Sequence, residues 1–236
     1  MLICAFSTGK PYWKYAAHLA RDLDDYGKEL LLLTDNPDYF RRQRNVTCLP
    51  MPSFKRFHHN LKVHVYRAGI ARAEQMLYID ADTVLREGLD RGHLDALLAR
   101  EFPPGLHTHE THPRANYTYP LYEDMANALG LRYDLDNITY QERICVLRRC
   151  GHEKAFLDLW EKFGEDLVAR GSFGGGDGTV MAICAQASGV PCWGSTHFQG
   201  HSYSQDLVPM RHKYPLGMDL RPLRKLRARM KGLWPR

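Results

Sequence analysis

Two carboxylates, Asp80 and Asp82, stand one residue apart directly after the apolar run from Met76 to Ile79. An apolar run of this length predicts a strand buried on both faces, as in the middle of a parallel sheet. The carboxylates then lie at the carboxyl end of the strand, where open α/β sheets bind their ligands. Because an unpaired carboxylate is costly to bury, both must face water, a cation or hydrogen-bond donors.

Carboxylate oxygens at this spacing suit Mg²⁺ or Mn²⁺, ions that usually also contact the phosphates of a bound nucleotide. The alternative is structural: Asp80 caps the following turn, and Asp82 points to solvent. The apolar strand before the pair and the sequence Thr83-Val84-Leu85 after it favour the metal site.

The segments around this pair predict alternating strands and helices. Residues 2–6 and 29–35 predict strands, and residues 12–26 predict the helix that joins them in a right-handed βαβ unit. Further strands are predicted at residues 46–49, 144–147 and 190–194. Further helices are predicted at residues 60–73, 89–98, 153–169 and 179–187. The turn at Gly9 lacks the Gly-x-Gly-x-x-Gly pattern, so the sequence does not indicate a dinucleotide fingerprint.

The length of 236 residues is enough for one large domain or two small ones. No apolar run approaches the roughly 20 residues that span a bilayer, and no basic leader precedes the first strand. The six cysteines include no Cys-x-x-Cys pair, which predicts reduced thiols. These features predict a cytoplasmic protein.

The net charge of +5 is concentrated at the carboxyl terminus. Residues 211–236 contain nine Lys/Arg and one Asp, whereas the remainder contains 23 Lys/Arg and 26 Asp/Glu. A mildly acidic body argues against nucleic-acid binding. We therefore predict a domain over residues 1–210, followed by a basic tail over residues 211–236.

In residues 222–234 of this tail, helical spacing places the leucines on one face and the basic residues around that face. Pro222 suits a first helical turn, and Trp234 suits a membrane interface. The segment predicts an amphipathic helix that lies peripherally on the anionic inner face of a membrane. The alternative is a terminal helix that docks on the body through its leucines.

Two further segments could bind ligands. His107, His109 and His112 lie close together, but no second cluster at zinc-site spacing accompanies them, so a polar strand end or an acceptor-facing loop is preferred. The glycines of residues 171–178 precede a helix and could offer backbone N–H groups to phosphate. Taken by itself, this segment is better interpreted as a plain loop with Asp177 as N-cap.

With these landmarks in order, the chain resembles the family 8 glycosyltransferases, which include glycogenin and bacterial lipopolysaccharide galactosyl- and glucosyltransferases. The resemblance spans residues 2–205. It rests on the first strand with its polar turn and tyrosine, Leu61-Lys62 before the acidic strand, the run from Tyr78 to Leu85, and the late sequence His197-Phe198-Gln199-Gly200. It implies a single-domain α/β protein of the GT-A (Rossmann-like) fold, with a mixed, mainly parallel sheet flanked by helices.

The resemblance also implies the ligands and the residues that bind them. The cation, Mn²⁺ or Mg²⁺, would be held by Asp80, Asp82 and His197, with His201 the weaker alternative for the histidine. The donor would be a nucleotide-sugar, by default a UDP-hexose. The residues implied at the donor site are Ala5, Ser7 and Tyr12 for the nucleoside, Lys62 for the diphosphate or sugar, and Ala81 within the acidic motif.

Two carboxylates compete for the catalytic position. Where many family members have Asp-Gln-Asp, this chain has Asp177-Gly178-Thr179, and where they have Phe-Asn-x-Gly it has Gln141-Glu142-Arg143. Asp177 and Glu142 are therefore both candidates for a carboxylate beside the donor sugar. The predicted reaction transfers a hexose, with retention, to a hydroxyl of a glycan or glycolipid. The alternatives are a metal-dependent nucleotidyltransferase and a non-catalytic sugar- or nucleotide-binding module.

Overall fold

The computed structural model describes residues 1–53, 58–85, 90–108, 111–113, 120–130, 138–140, 143–171, 177–193 and 207–209. The strands in this part of the chain are β1 (Leu2–Ser7), β2 (Leu30–Thr34), β3 (Val46–Pro50), β4 (Gln75–Ile79), β5 (Thr83–Leu85), β6 (Gly105–Thr108), β7 (Thr111–Pro113), β8 (Ile138–Tyr140), β9 (Ile144–Arg148), β10 (Cys192–Trp193) and β11 (Leu207–Pro209). The helices are α1 (Lys10–Asp25), α2 (Val63–Arg72), α3 (Arg91–Ala99), α4 (Pro120–Ala128), α5 (Glu153–Ala169) and α6 (Asp177–Ser188). Short 3₁₀ turns lie at Pro37–Phe40 and His59–Lys62.

Seven strands form the central sheet, in the order β10-β6-β9-β4-β1-β2-β3. Strands β4, β1, β2 and β3 are parallel to their neighbours in this series, whereas β9 runs antiparallel to both β4 and β6. The predicted mixed, mainly parallel sheet is confirmed. The expectation that β4 has parallel neighbours is wrong on one side, because β9 pairs with it in the opposite direction.

Helices cover both faces of the sheet and create two apolar clusters. Successive strand residues point to opposite faces. Leu77 and Ile79 of β4 therefore pack in the cluster that contains residues of α1 and α3, whereas Met76 and Tyr78 pack in the cluster that contains residues of α2, α5 and α6. Burial on both faces explains why the sequence shows apolar runs rather than alternation.

Most predicted bounds agree with the structure to within two residues, and three differences have a local reason. Helix α1 begins at Lys10 because Gly9 has a φ of 76° and Pro11 fits the first turn. The predicted helix over residues 60–73 begins as a 3₁₀ turn and becomes α-helical only at Val63. Within the predicted strand over residues 190–194, the described strand is Cys192–Trp193, paired with β6 at the end of the sheet, and residue 194 lies outside the described residues.

Gly69 allows α2 to pack closely on β1 and β4. A Cβ atom at this position would lie 2.6 Å from the Sδ of Met76 and 2.9 Å from the Sγ of Cys4. We expect Gly69→Ala to lower the free energy of unfolding by about 1–3 kcal/mol, because the added methyl overpacks this contact. Urea unfolding measures the change.

Gly92→Ala is the matched control for this substitution. Gly92 is exposed in α3, and the nearest atom to an added Cβ is the Oδ1 of Asp90 at 3.1 Å, the end of a flexible side chain. Alanine should therefore be neutral or stabilising there, by up to about 1 kcal/mol. Equal stability of the two variants would show that α2 is not closely packed at Gly69.

The basic tail of residues 211–236 and its predicted helix over residues 222–234 lie outside the described residues. Within the described part, no helix combines the length and the apolar character needed to cross a bilayer.

Candidate functional site

Several polar residues far apart in sequence meet at one edge of the central sheet. The parallel strands β1, β2 and β4 end at this edge, so Ser7, Asp35 and Asp80 lie along it. The antiparallel strand β9 begins there, and the backbone N–H of Asp80 donates to the carbonyl oxygen of Arg143 at 2.9 Å. The strand order reverses between β4 and β1, the position at which α/β sheets open a ligand crevice.

The carboxylate of Asp80 is fixed by two neighbours. The hydroxyl of Tyr78 donates to Oδ1 of Asp80 at 2.8 Å, and the ammonium of Lys62 lies 3.2 Å from the same oxygen. The side chain of Asp80 is 29% exposed, whereas that of Lys62 is only 6% exposed. Asp80 therefore presents a positioned, partly open carboxylate at the edge of the sheet.

Lys62 is held in a water-poor position by aromatic rings. Its ammonium lies 5.4 Å from the centroid of the Tyr78 ring, which is favourable for a cation–π contact. Tyr78 stacks on Tyr66 at 5.0 Å, and Tyr66 contacts Trp160 at 5.2 Å. A buried ammonium requires an opposite charge, and Asp80 provides it.

Asp82 lies in the turn after β4, close enough to α1 for its charge to act on Tyr15. The carbonyl of Asp80 accepts the N–H of Thr83 at 2.9 Å, and after this turn β5 packs against α1. Burial, and next the nearby charge of Asp82, raises the pKa of Tyr15 in α1. Tyr12 is 48% exposed and contacts Tyr15 edge-on at 6.0 Å. A second polar group, formed by Tyr12, Tyr15 and Asp82, therefore lies beside the group of Asp80, Lys62 and Tyr78.

Ser7 offers a hydroxyl at the same edge. It is 1% exposed, and its Oγ has no hydrogen-bond partner among the described residues. A buried hydroxyl that lacks a partner is unfavourable, and a ligand atom at this edge would satisfy it. Ala5 and Ala81 are 0% and 3% exposed and belong to the apolar cluster against α1. Their side chains therefore pack in the core.

Asp35, which was not predicted as a site residue, orders the turn after β1. Its carboxylate accepts the backbone N–H of Gly9 at 3.1 Å and the indole N–H of Trp13 at 2.6 Å. These bonds connect the end of β2 to the start of α1. The sequence feature that could have identified Asp35 is its position as the carboxylate at the end of the second apolar run.

Tyr78 was also not predicted as a site residue, although a residue two positions before Asp80 in a strand must share its face.

His107 is a core residue near the end of β6, so of the two preferred interpretations the acceptor-facing loop is wrong for this residue. It is fully buried in β6, with Nε2 2.7 Å from the carbonyl oxygen of Pro103. Because a carbonyl can only accept, Nε2 carries the proton. The ring contacts Phe102 at 4.9 Å and Trp193 at 6.1 Å. His109 lies outside the described residues, and only the backbone of His112, in β7, is described.

The remaining predicted site residues are described in part or not at all. Asp177 is the first residue of α6 rather than the N-cap before it, and its side chain is outside the described part. Glu142, His197 and His201 also lie outside it. Within the described part, no three His, Cys, Asp or Glu residues are grouped as a metal site. Asp80 and Asp82 supply hard oxygen donors of the kind that Mn²⁺ and Mg²⁺ prefer.

No protein-family profile matches the sequence, and no curated protein sequence matches it either. Among solved structures, the chain is similar to the galactosyltransferase LgtC, which was crystallised in complex with donor and acceptor sugar analogues. The similarity covers 82% of this chain and 73% of LgtC, with a TM-score of 0.50 and 13% sequence identity. LgtC is a GT-A protein of family 8. The chain therefore has the GT-A fold that the sequence predicted.

Proposed function

We propose that this protein is a metal-dependent glycosyltransferase that moves a hexose from a nucleotide-sugar, by default a UDP-hexose, to a hydroxyl of a glycan or glycolipid, with retention. The observation that carries the proposal is the carboxylate of Asp80, fixed by Tyr78 and Lys62 at the edge where the strand order reverses. The fold that the chain shares with LgtC, a protein crystallised with donor and acceptor sugar analogues, supports it.

Asp80 and Asp82 fit a divalent cation, because both are carboxylates at the open edge and neither is fully buried. His197 would complete the ligand set by the family resemblance. When bound, Mn²⁺ or Mg²⁺ would neutralise the negative charge that develops on the departing diphosphate.

The other residues at the edge have separate tasks in the proposed reaction. Lys62 supplies a positive charge near the diphosphate. Because the surroundings of Lys62 exclude water, the attraction between its ammonium and the diphosphate is stronger than it would be in solvent. The exposed ring of Tyr12 and the hydroxyl of Ser7 would contact the nucleoside. Asp177 and Glu142 remain the candidates for the carboxylate beside the donor sugar, either as a nucleophile or as a stabilising charge during attack on the same face.

Thermal unfolding with a panel of nucleotides tests the proposal. UDP at 100 times its dissociation constant should stabilise the protein by about 2.7 kcal/mol, with Mn²⁺ present and not with EDTA. A stabilised protein should then release UDP from one member of a panel of UDP-hexoses. Stabilisation by nucleoside triphosphates alone, with release of pyrophosphate from the triphosphate when a sugar phosphate is added, would contradict the proposal and favour a nucleotidyltransferase.

Tyr78→Phe should weaken the cation site without removing a ligand. The variant keeps the ring on which Lys62 lies and loses only the hydroxyl that donates to Asp80. Groups that orient a metal ligand typically change metal affinity by about 10-fold to 100-fold, and we expect the lower end because Lys62 still contacts Oδ1. Titration of Mn²⁺ by calorimetry in the presence of UDP measures the change. An unchanged affinity would show that Tyr78 does not position Asp80.

A further inference from the structure

A cavity of about 590 Å³ lies between the segment His58–His64 and the carboxyl-terminal half of α5. It is next to the candidate donor site, the group of residues around Lys62 and Asp80. Its polar lining includes His58, Asn60, His64, Glu161 and Glu165. Leu61 and Val63 face the cavity, whereas the side chain of Lys62 between them reaches Asp80. The cavity and the candidate donor site therefore flank the same short segment.

The wall of this cavity is built by close packing. A Cβ atom at Gly164 of α5 would lie 2.8 Å from the Cβ of Asn60 and 3.3 Å from the Cε1 of His58. The absence of a side chain at Gly164 allows this approach. The indole N–H of Trp160 donates to Oδ1 of Asn60 at 2.8 Å in a buried position. These contacts fix the segment against α5.

The polar groups of the cavity favour an uncharged ligand with hydroxyl groups. Glu161 is paired with Arg67 at 2.8 Å, so Arg67 gives the cavity no excess positive charge. Burial, the largest cause in each case, lowers the pKa of His58 and of His64, which favours the neutral form of both rings, although the charge of Glu161 acts on His64 in the opposite direction. Glu165 adds a carboxylate. Carboxylates repel phosphate and accept hydrogen bonds from hydroxyls.

One group in the wall also lacks a partner. His58 is 8% exposed, and its Nδ1 is buried without a hydrogen-bond partner in the described part of the chain. Buried polar atoms are normally bonded to protein, water or a ligand. The volume also lies within the range of small-molecule sites, about 300–1,000 Å³.

We propose that this cavity binds an uncharged sugar residue of the acceptor, so that donor and acceptor meet from the two sides of Lys62. The proposal rests on the proposed glycosyltransferase function, and it names the acceptor as a neutral polyhydroxylated molecule rather than a phosphorylated one.

NMR of the histidine ring protons tests this proposal at the cavity itself. The signals of His58 and His64 are assigned from the variants His58→Gln and His64→Gln. The probes are galactose, glucose, N-acetylglucosamine, lactose and maltose, with inorganic phosphate as the anionic comparison. At least one sugar should shift both signals in a saturable manner, and phosphate should shift neither. A response to phosphate but to no sugar would overturn the proposal, and so would the absence of any saturable response.

Glu165→Gln with Asp166→Asn as its control tests the contribution of the cavity carboxylate. Both residues are exposed on α5, but only Glu165 lines the cavity. Glutamine keeps an acceptor oxygen but loses the charge that strengthens the hydrogen bond from a sugar hydroxyl, so Glu165→Gln should weaken sugar binding about tenfold, with no change in Asp166→Asn. Equal affinity of both variants for the sugar would overturn the proposal.

The thermal experiment with UDP and Mn²⁺ separates this proposal from the proposed function. UDP stabilisation without any sugar response at His58 and His64 would leave the transferase intact and overturn the cavity proposal. A sugar response without stabilisation by any nucleotide would support a sugar site and overturn the transferase.

Discussion

Asp82→Ala is expected to abolish the Mn²⁺-dependent stabilisation by UDP and to lower sugar transfer by about a hundredfold to a thousandfold. The rate falls because a cation that has lost one of its two aspartate ligands is bound weakly and neutralises the leaving diphosphate poorly. Each loss of about 1.4 kcal/mol in transition-state stabilisation lowers the rate tenfold. Asp82 is a cleaner target than Asp80, because replacing Asp80 would also remove the carboxylate that lies 3.2 Å from the buried ammonium of Lys62. The measurements are thermal unfolding with UDP and Mn²⁺, and initial rates of UDP release.

Asp24→Ala is the matched control for Asp82→Ala. Asp24 is exposed on α1, away from the edge where β1 and β4 end. Its variant should keep both the UDP response and the rate. Both variants should unfold at nearly the wild-type temperature without ligand, because Asp82 is a turn residue. Retention of the Mn²⁺-dependent UDP response in Asp82→Ala would favour the structural interpretation of the aspartate pair.

Lys62→Met is expected to have the second largest effect. It should weaken the binding of UDP and strengthen the binding of Mn²⁺. Loss of the ammonium should weaken UDP binding in the presence of Mn²⁺ by about tenfold to a hundredfold, the range for hydrogen bonds to charged groups. The affinity for Mn²⁺ without nucleotide should rise, because Asp80 loses the cation 3.2 Å from its Oδ1. Methionine is chosen because Lys62 is 5% exposed, so its methylenes need an apolar replacement.

Calorimetric titrations of Mn²⁺ and of UDP measure the two effects separately. Lys28→Met is the control, because Lys28 also contacts a carboxylate, that of Asp95, but follows the other end of α1. It should change neither affinity. Unchanged UDP affinity in Lys62→Met, together with tighter Mn²⁺ binding, would show that Lys62 only neutralises Asp80 and does not approach the diphosphate.

The sequence was sufficient to predict features that depend on neighbouring residues. The apolar run before Asp80 identified β4 and placed the carboxylate at its carboxyl end, because a strand buried on both faces needs consecutive apolar residues. Helical spacing gave the bounds of α5, Glu153–Ala169, without error. The ordered landmarks from Tyr78 to Leu85, with the other matching segments, gave the GT-A fold through the family resemblance.

His107 shows why the same local pattern could not separate a ligand from a core residue. Three histidines in six residues are compatible with a metal site, an acceptor-facing strand or a core. His107 is in the core because Trp193 from β10 and Phe102 cover its ring and Pro103 accepts its proton. Trp193 is distant in sequence, so no local pattern contains this information.

The sequence by itself therefore determined the central strand and the position of Asp80 and Asp82 after it, since these depend on patterns of burial within short segments, and its resemblance to a known family implied the fold. Tertiary structure decided which atoms meet. It brought Lys62 and Tyr78 to the same oxygen of Asp80, reversed β9 beside β4, and placed Asn60 against Gly164 to form the cavity wall. These contacts join residues from different elements, and their geometry is set by how helices pack on the sheet rather than by spacing along the chain.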